Sequence, residues 1–160
     1  VDQGAAIRAA RHARGLGIAV TSDLARVTDR PPELVLAVSC AIFADGLPEQ
    51  LTGEKDHERA LRKLRARHDG LLVVTVGREG AVALDGDRFL ASPGFAVAAV
   101  DTTASGDVFR AGLIYGLLHG WPIERTLRAA NAAGALACTR VGAMASIPTL
   151  DEVMMLVSRD

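Results

Sequence analysis

The stretch Asp101-Thr102-Thr103-Ala104-Ser105-Gly106-Asp107-Val108-Phe109 sets two carboxylates around a run of small residues, and a strongly apolar segment, Val108 to Leu118, follows at once. A small-residue turn that opens a helix leaves several backbone N–H groups unpaired and pointing one way, which makes a ready site for an anion. Asp107, at its edge, would sit beside the bound anion. An anion cradle with an adjacent carboxylate is what phosphoryl transfer to a hydroxyl requires, because the cradle receives charge while the acid takes a proton. Small-residue turns before helices are also common as plain structure. The full nine-residue string, not Ser-Gly-Asp alone, carries the functional reading.

Three other segments carry candidate residues. Thr75-Val76-Gly77-Arg78-Glu79-Gly80 follows an apolar strand, and its glycines allow backbone to approach a ligand closely. Read alone, it is equally a turn leading into a hairpin. Asn131 lies in the helical stretch Ile123–Ala137 among Ala129, Ala130, Ala132 and Ala133, a slim surface able to pack on a flat ligand. Alone, Asn131 is more simply an amide satisfied by a neighbouring loop. Thr139 to Pro148 follows that helix and contains Gly142, Ser146 and a helix-ending turn.

At these residues the chain resembles the ribokinase-like (PfkB) carbohydrate kinases, whose signature reads Asp-Thr-x-Gly-Ala-Gly-Asp-x-Phe. Ala104 stands where the family has its first Gly, and Ser105 where it has Ala. The resemblance covers most of the chain but only the C-terminal, nucleotide-binding and catalytic half of the family's fold. It implies Asp107 as general base, with backbone N–H groups of Ala104, Ser105 and Gly106 receiving charge on the transferred phosphoryl group. It implies Thr75, Gly77, Gly80, Gly106 and Asn131 around ATP, with Asn131 beside adenine. It implies a monovalent cation, usually potassium, held by Asp101 and Ser146 side chains and by backbone oxygens of Thr103, Ala137, Arg140 and Gly142. Magnesium would ride on the ATP phosphates. Oxygen-only donors suit hard cations of this kind.

One element departs from that pattern. Ala44 to Gly53 resembles the family's Asn-x-x-Glu segment before Leu-Thr-Gly, yet Ala44 and Leu47 occupy the Asn and Glu positions. The implied activity is an ATP-dependent kinase acting on a small sugar or nucleoside hydroxyl. The alternative is a non-catalytic nucleotide-binding or regulatory remnant of the same fold. Nothing before Val1 corresponds to the family's sugar-binding half and lid. The chain therefore reads as a fragment, inactive alone, whose full-length parent could be a homodimer. Gly106 remains for the tightest approach to phosphate, so Ala104 is expected at negative φ, with the N–H groups of residues 105–107 directed into the cleft.

Composition fits these expectations. A chain of 160 residues with 49% hydrophobic residues can bury one core, and a net charge of −1 argues against a nucleic-acid surface. The basic cluster Arg59, Arg62, Lys63, Arg65 and Arg67 falls on a helix with Glu54, Asp56 and Glu58 and reads as a solvated face. Cys40 and Cys138 read as buried thiols rather than a disulfide or metal site. No apolar run reaches the ~18 residues of a membrane span and no signal peptide is visible, so a cytoplasmic enzyme is expected.

The elements that must position the site alternate. Helices are predicted over about 3–14, after Pro31-Pro32, and over about 55–67, 105–119, 122–139 and 149–158. Thr149 and Glu152 form a capping box at the last start. Strands are predicted at Ile18–Val20, Cys40–Phe43 and Leu71–Val76, and as a hairpin, Ala81–Leu84 and Arg88–Ala91, around Asp85-Gly86. The order implies a layered αβα fold with a mainly parallel sheet, forming a single nucleotide-binding and catalytic part over 1–160.

Overall fold

In the computed structural model, which describes residues 3–24 and 31–159, there are seven α-helices and five strands among the described residues, helices and strands interleaving up to the third strand and three helices following the fifth. The strands form one sheet in the order β1(Thr21–Leu24)–β2(Cys40–Ala44)–β3(Leu71–Thr75)–β4(Gly80–Asp85)–β5(Arg88–Pro93). β1, β2 and β3 pair in parallel, with Cys40 opposite both Thr21 and Leu71. Cys40 to Phe43 are buried without alternation, as a strand covered on both faces must be. The described residues divide into two compact units, residues 1–75 with 82–90 and residues 76–81 with 91–160.

The first unit holds α1(Gln3–Gly15), α2(Pro31–Ala37), α3(Leu47–Thr52) and α4(His57–Arg65) around the parallel strands. Its core is Phe43, Leu61, Leu72, Val73, Val74 and Leu84, all fully buried. Two expectations shift here. The first strand is Thr21–Leu24 rather than Ile18–Val20, because Ile18 still donates to the Ala13 carbonyl and closes α1. β1 lies at the end of the strand order and its first three residues are not buried, so its polar residues carry no apolar signal. The six-residue α3 was not predicted; it is too short to show helical periodicity. Cys40 and Cys138 are both free; burial pushes the Cys40 thiol up to about 12.

α4 begins at the Asp56 cap, which accepts from Arg59 N at 2.8 Å. Its basic residues divide. Arg62 and Lys63 pair with Glu58 and Glu54 at the surface, whereas Arg65 reaches inward to the carbonyls of His68 and Leu84 at 2.9 and 3.0 Å. His68 is buried. Its Nδ1 accepts from Gly70 N–H at 3.1 Å, so Nε2 carries the proton and donates to the Val38 carbonyl at 3.0 Å. Burial lowers the pKa of this imidazole below its ordinary 6.5. As pH falls through 6.5 the unfolded chain binds a proton that the folded chain refuses. Stability is therefore complete above that pH and is expected to decline below it, by at most ~1.4 kcal/mol per pH unit. Melting temperatures between pH 8 and pH 5 check this, and His68→Gln should flatten the profile.

The second unit is built on α5(Ser105–Leu118), α6(Ile123–Ala137) and α7(Leu150–Val157). Val108, Ala129, Ala132, Ala133, Ala137 and Val153 form its core, with Phe95 and Trp121 packed against it. The predicted capping box is present: Thr149 accepts from Glu152 N–H, and the Glu152 carboxylate accepts from Thr149 N–H at 2.7 Å. No helix among the described residues is long and apolar enough to cross a membrane.

Candidate active site

A contact made of small residues fixes the N-terminus of α5 against α6. A methyl added at Gly116 would stand 2.6 Å from Thr126 Oγ1, and one at Gly112 would stand 3.0 Å from Ala130 Cα. One at Gly134 would stand 3.2 Å from the Ser105 carbonyl oxygen. The two helices thus approach almost backbone to backbone, and the first turn of α5, with Asp107, rests on α6. One face of α6 serves three segments at successive turns. Asn131 meets the end of β5, Gly134 meets Ser105 and Phe109, and the Cys138 carbonyl accepts from Val100 and Asp101 N–H at 2.8 and 3.2 Å.

The turn before α5 corrects two expectations. Ala104 has φ 62° and ψ 6°, the one non-glycine residue at positive φ among those described. The left-handed position costs an L-residue about 1–2 kcal/mol, so this turn stores strain where negative φ was expected. Ser105 N–H is not open either: it donates to the Thr102 carbonyl at 3.2 Å. The N–H groups of Ala104, Gly106 and Asp107 meet no acceptor among the described residues. Nothing lies within 4 Å of where a Gly106 methyl would point. The Asp107 side chain is 72% exposed, and Arg110 Nη2 donates to its Oδ1 at 2.8 Å. Sequence reasoning missed Arg110, although its i,i+3 spacing from Asp107 was the available signal.

Asp101 crosslinks this turn to the loop after α6. Its Oδ1 accepts from Thr103 N–H and its Oδ2 from Gly142 N–H, both at 2.9 Å. Hydrogen bonds from the Thr103 hydroxyl and these amides hold the carboxyl at about 2. Both oxygens are already engaged within the protein. Ser146, buried, donates through its hydroxyl to the Ala143 carbonyl at 3.1 Å, and the Gly142 carbonyl accepts from Ser146 N–H. Arg140 pairs with Glu152 across the loop. The remaining oxygens of the implied cation set, the Thr103, Ala137 and Arg140 carbonyls, are of the right type for a hard cation. No group of three His, Cys, Asp or Glu among the described residues could hold a metal.

The 75–80 segment divides in role. The Thr75 hydroxyl donates to the Phe43 carbonyl at 3.3 Å, tying β3 to β2. Gly77 takes φ 60° and has open space around it. Gly80, at φ 105°, is pressed against the end of β5, where an added methyl would stand 2.2 Å from the Ser92 carbonyl oxygen. Gly94 returns the contact, its N–H donating to the Glu79 carbonyl at 3.0 Å. Asn131 Nδ2 lies 2.8, 3.0 and 3.2 Å from Ser92 O, Ser92 Oγ and Pro93 O. Its two hydrogens are spent on β5, which is the simpler of the two roles considered for it and leaves none for a purine. Ala44 and Leu47, at the implied Asn and Glu positions, offer no polar group, and Leu47 is 1% exposed. Side chains at these two positions supply no ligand for magnesium.

A helix-borne carboxylate beside open backbone donors, on an α/β scaffold, defines a candidate phosphotransferase site. The comparisons with known proteins give the class its family. Residues 7–150 match the model of the pfkB family carbohydrate kinases. The chain is 36% identical over 158 residues to an ATP-dependent ribose-1-phosphate kinase of Halopiger xanaduensis, covering 98% of this chain and 51% of that protein. It is 30% identical to a ribokinase of Haemophilus influenzae, covering 91% of this chain and 49% of that one. Arabidopsis thaliana ribokinase, solved in complex with ribose and ATP, superposes with a TM-score of 0.85 at 26% identity, over 94% of this chain and 51% of that one. The chain belongs to the pfkB carbohydrate kinase family and adopts the ribokinase-like α/β fold. It spans about half the length of the curated relatives it matches.

Proposed function

We propose that this chain supplies the nucleotide-binding and catalytic part of an ATP-dependent kinase that phosphorylates a hydroxyl of a small sugar or nucleoside. The observation that carries the reading is Asp107: exposed, seated on a helix fixed by α6, and adjacent to open N–H groups. Asp107 accepts the proton of the attacking hydroxyl, and the oxygen so freed forms the new bond to phosphorus as the bond to ADP breaks. The N–H groups of Gly106 and Asp107 receive negative charge on the transferred phosphoryl group, and that of Ala104 is open to the same use. Magnesium carried on the ATP phosphates would neutralise charge there. The relatives' names and the ribose and ATP bound to the Arabidopsis enzyme support this choice of substrates. Potassium at the 137–146 loop, a cytoplasmic setting and dimerisation of the protein extended to its relatives' length belong to the same proposal.

Gly106→Ala tests it. The helical position has room for a methyl, so stability should rise by about 0.5–1 kcal/mol. The methyl would occupy the phosphate's approach, so affinity for ATP or ADP, read by calorimetry, should fall at least tenfold. Unchanged nucleotide affinity would remove the anion site.

The second reading, a non-catalytic nucleotide-binding remnant, is favoured by the apolar Ala44 and Leu47 and by the internally bonded Ser105 N–H. It predicts that the protein extended to its relatives' length binds ATP and phosphorylates nothing in a sugar and nucleoside panel.

A further inference from the structure

The first unit carries a cavity that the proposed function does not use. It has a volume of about 290 Å³ and opens between α2, α3 and α4. Its lining is mainly apolar, from Val35 and Leu36 of α2, Leu51 of α3 and Leu64 of α4. Two cations, Lys63 and Arg67, also line it. They are not equivalent. Lys63 is neutralised by Glu54 at 2.6 Å and donates to the Thr52 carbonyl at 3.3 Å. The Arg67 side chain lies exposed at the mouth and makes no hydrogen bond or ion pair with any described residue.

We propose that this cavity binds a small amphipathic oxyanion, with its hydrocarbon part against the four aliphatic side chains and its carboxylate or phosphate on Arg67. The volume stands at the lower end of small-molecule sites and is too small for a macromolecular segment. Apolar walls with one unspent cation favour a ligand of that polarity, because a guanidinium pairs with a planar oxyanion through two parallel N–H bonds. A neutral hydrocarbon would leave the charge unused, and a bare inorganic anion would leave the apolar walls wet. A ligand spanning α2, α3 and α4 also stabilises the folded chain by mass action.

The test uses the 160-residue chain with hexanoate, hexyl phosphate, 1-hexanol and inorganic phosphate, followed by amide chemical shifts and thermal shift. Hexanoate or hexyl phosphate should move the amides of Leu51, Leu64 and Arg67 and bind at least tenfold tighter than either 1-hexanol or inorganic phosphate. The better of the two identifies the head group. Arg67→Gln should abolish the preference over 1-hexanol, while Lys63→Gln should keep most of it. Equal binding of hexanoate and 1-hexanol, shifts elsewhere only, or an unaltered preference in Arg67→Gln would overturn the assignment.

Discussion

Asp107→Asn is expected to lower turnover by about 10²–10⁴-fold, the usual worth of a general base, in the protein extended to its relatives' length. The substitution keeps the shape of the side chain and its place on α5 and removes only the capacity to take a proton. The carboxylate is 72% exposed and held by a surface ion pair to Arg110, so the fold loses little. Nucleotide affinity should therefore stay within a few-fold of wild type while kcat collapses. This split separates a base from a structural residue. Turnover within threefold of wild type would sink the assignment, and loss of ATP binding together with turnover would recast Asp107 as a binding group.

Gly80→Ala is expected to be the most damaging single methyl in the second unit, costing about 3 kcal/mol or more. Two costs add. The backbone at φ 105° and ψ −125° lies where only glycine is comfortable, worth about 1–3 kcal/mol. The new methyl would stand 2.2 Å from Ser92 O, 2.5 Å from Gly94 N and 2.6 Å from Pro93 C, all backbone atoms that no rotamer change can move. Overpacking of that kind adds about 1–3 kcal/mol. For a chain of this size the melting temperature should drop by about 6–12 °C. Gly77→Ala is the control: it meets a positive φ but nothing within 4 Å, so only the conformational cost of about 1 kcal/mol remains. Equal melting temperatures for the two variants would contradict the close backbone approach at Gly80.

Much of this molecule was legible because its signals are local. The capping box at Thr149, the Asp85-Gly86 turn and the buried runs of β2 and β3 each sit within a few residues of the feature they specify. The nine-residue string at Asp101 carried the family. What escaped depends on partners far along the chain. Asn131 is spent on Ser92, 39 residues away, and Gly80 is needed because of Ser92 and Gly94. Neither is visible in a window around the residue. The sign of φ at Ala104 failed for another reason. Propensity puts alanine at negative φ, but the surrounding structure over-determines the turn: Ser105 bonds back to Thr102, and Asp101 ties Thr103 to Gly142.

The contact between α5 and α6 has a further consequence. Gly112, Gly116, Ala129, Ala130, Ala133 and Gly134 have no χ1 torsion, so on this seam the rotamer choices are confined to larger neighbours such as Thr126 and Phe109. It gives up little side-chain entropy on folding and retains little as play. The backbone of Asp107 is therefore placed by this seam, and its carboxylate is turned by the ion pair to Arg110. On the proposed kinase reading, acceptors of different size would not be accommodated by repacking of this seam, and tolerance for varied hydroxyls would come from how they are presented to Asp107.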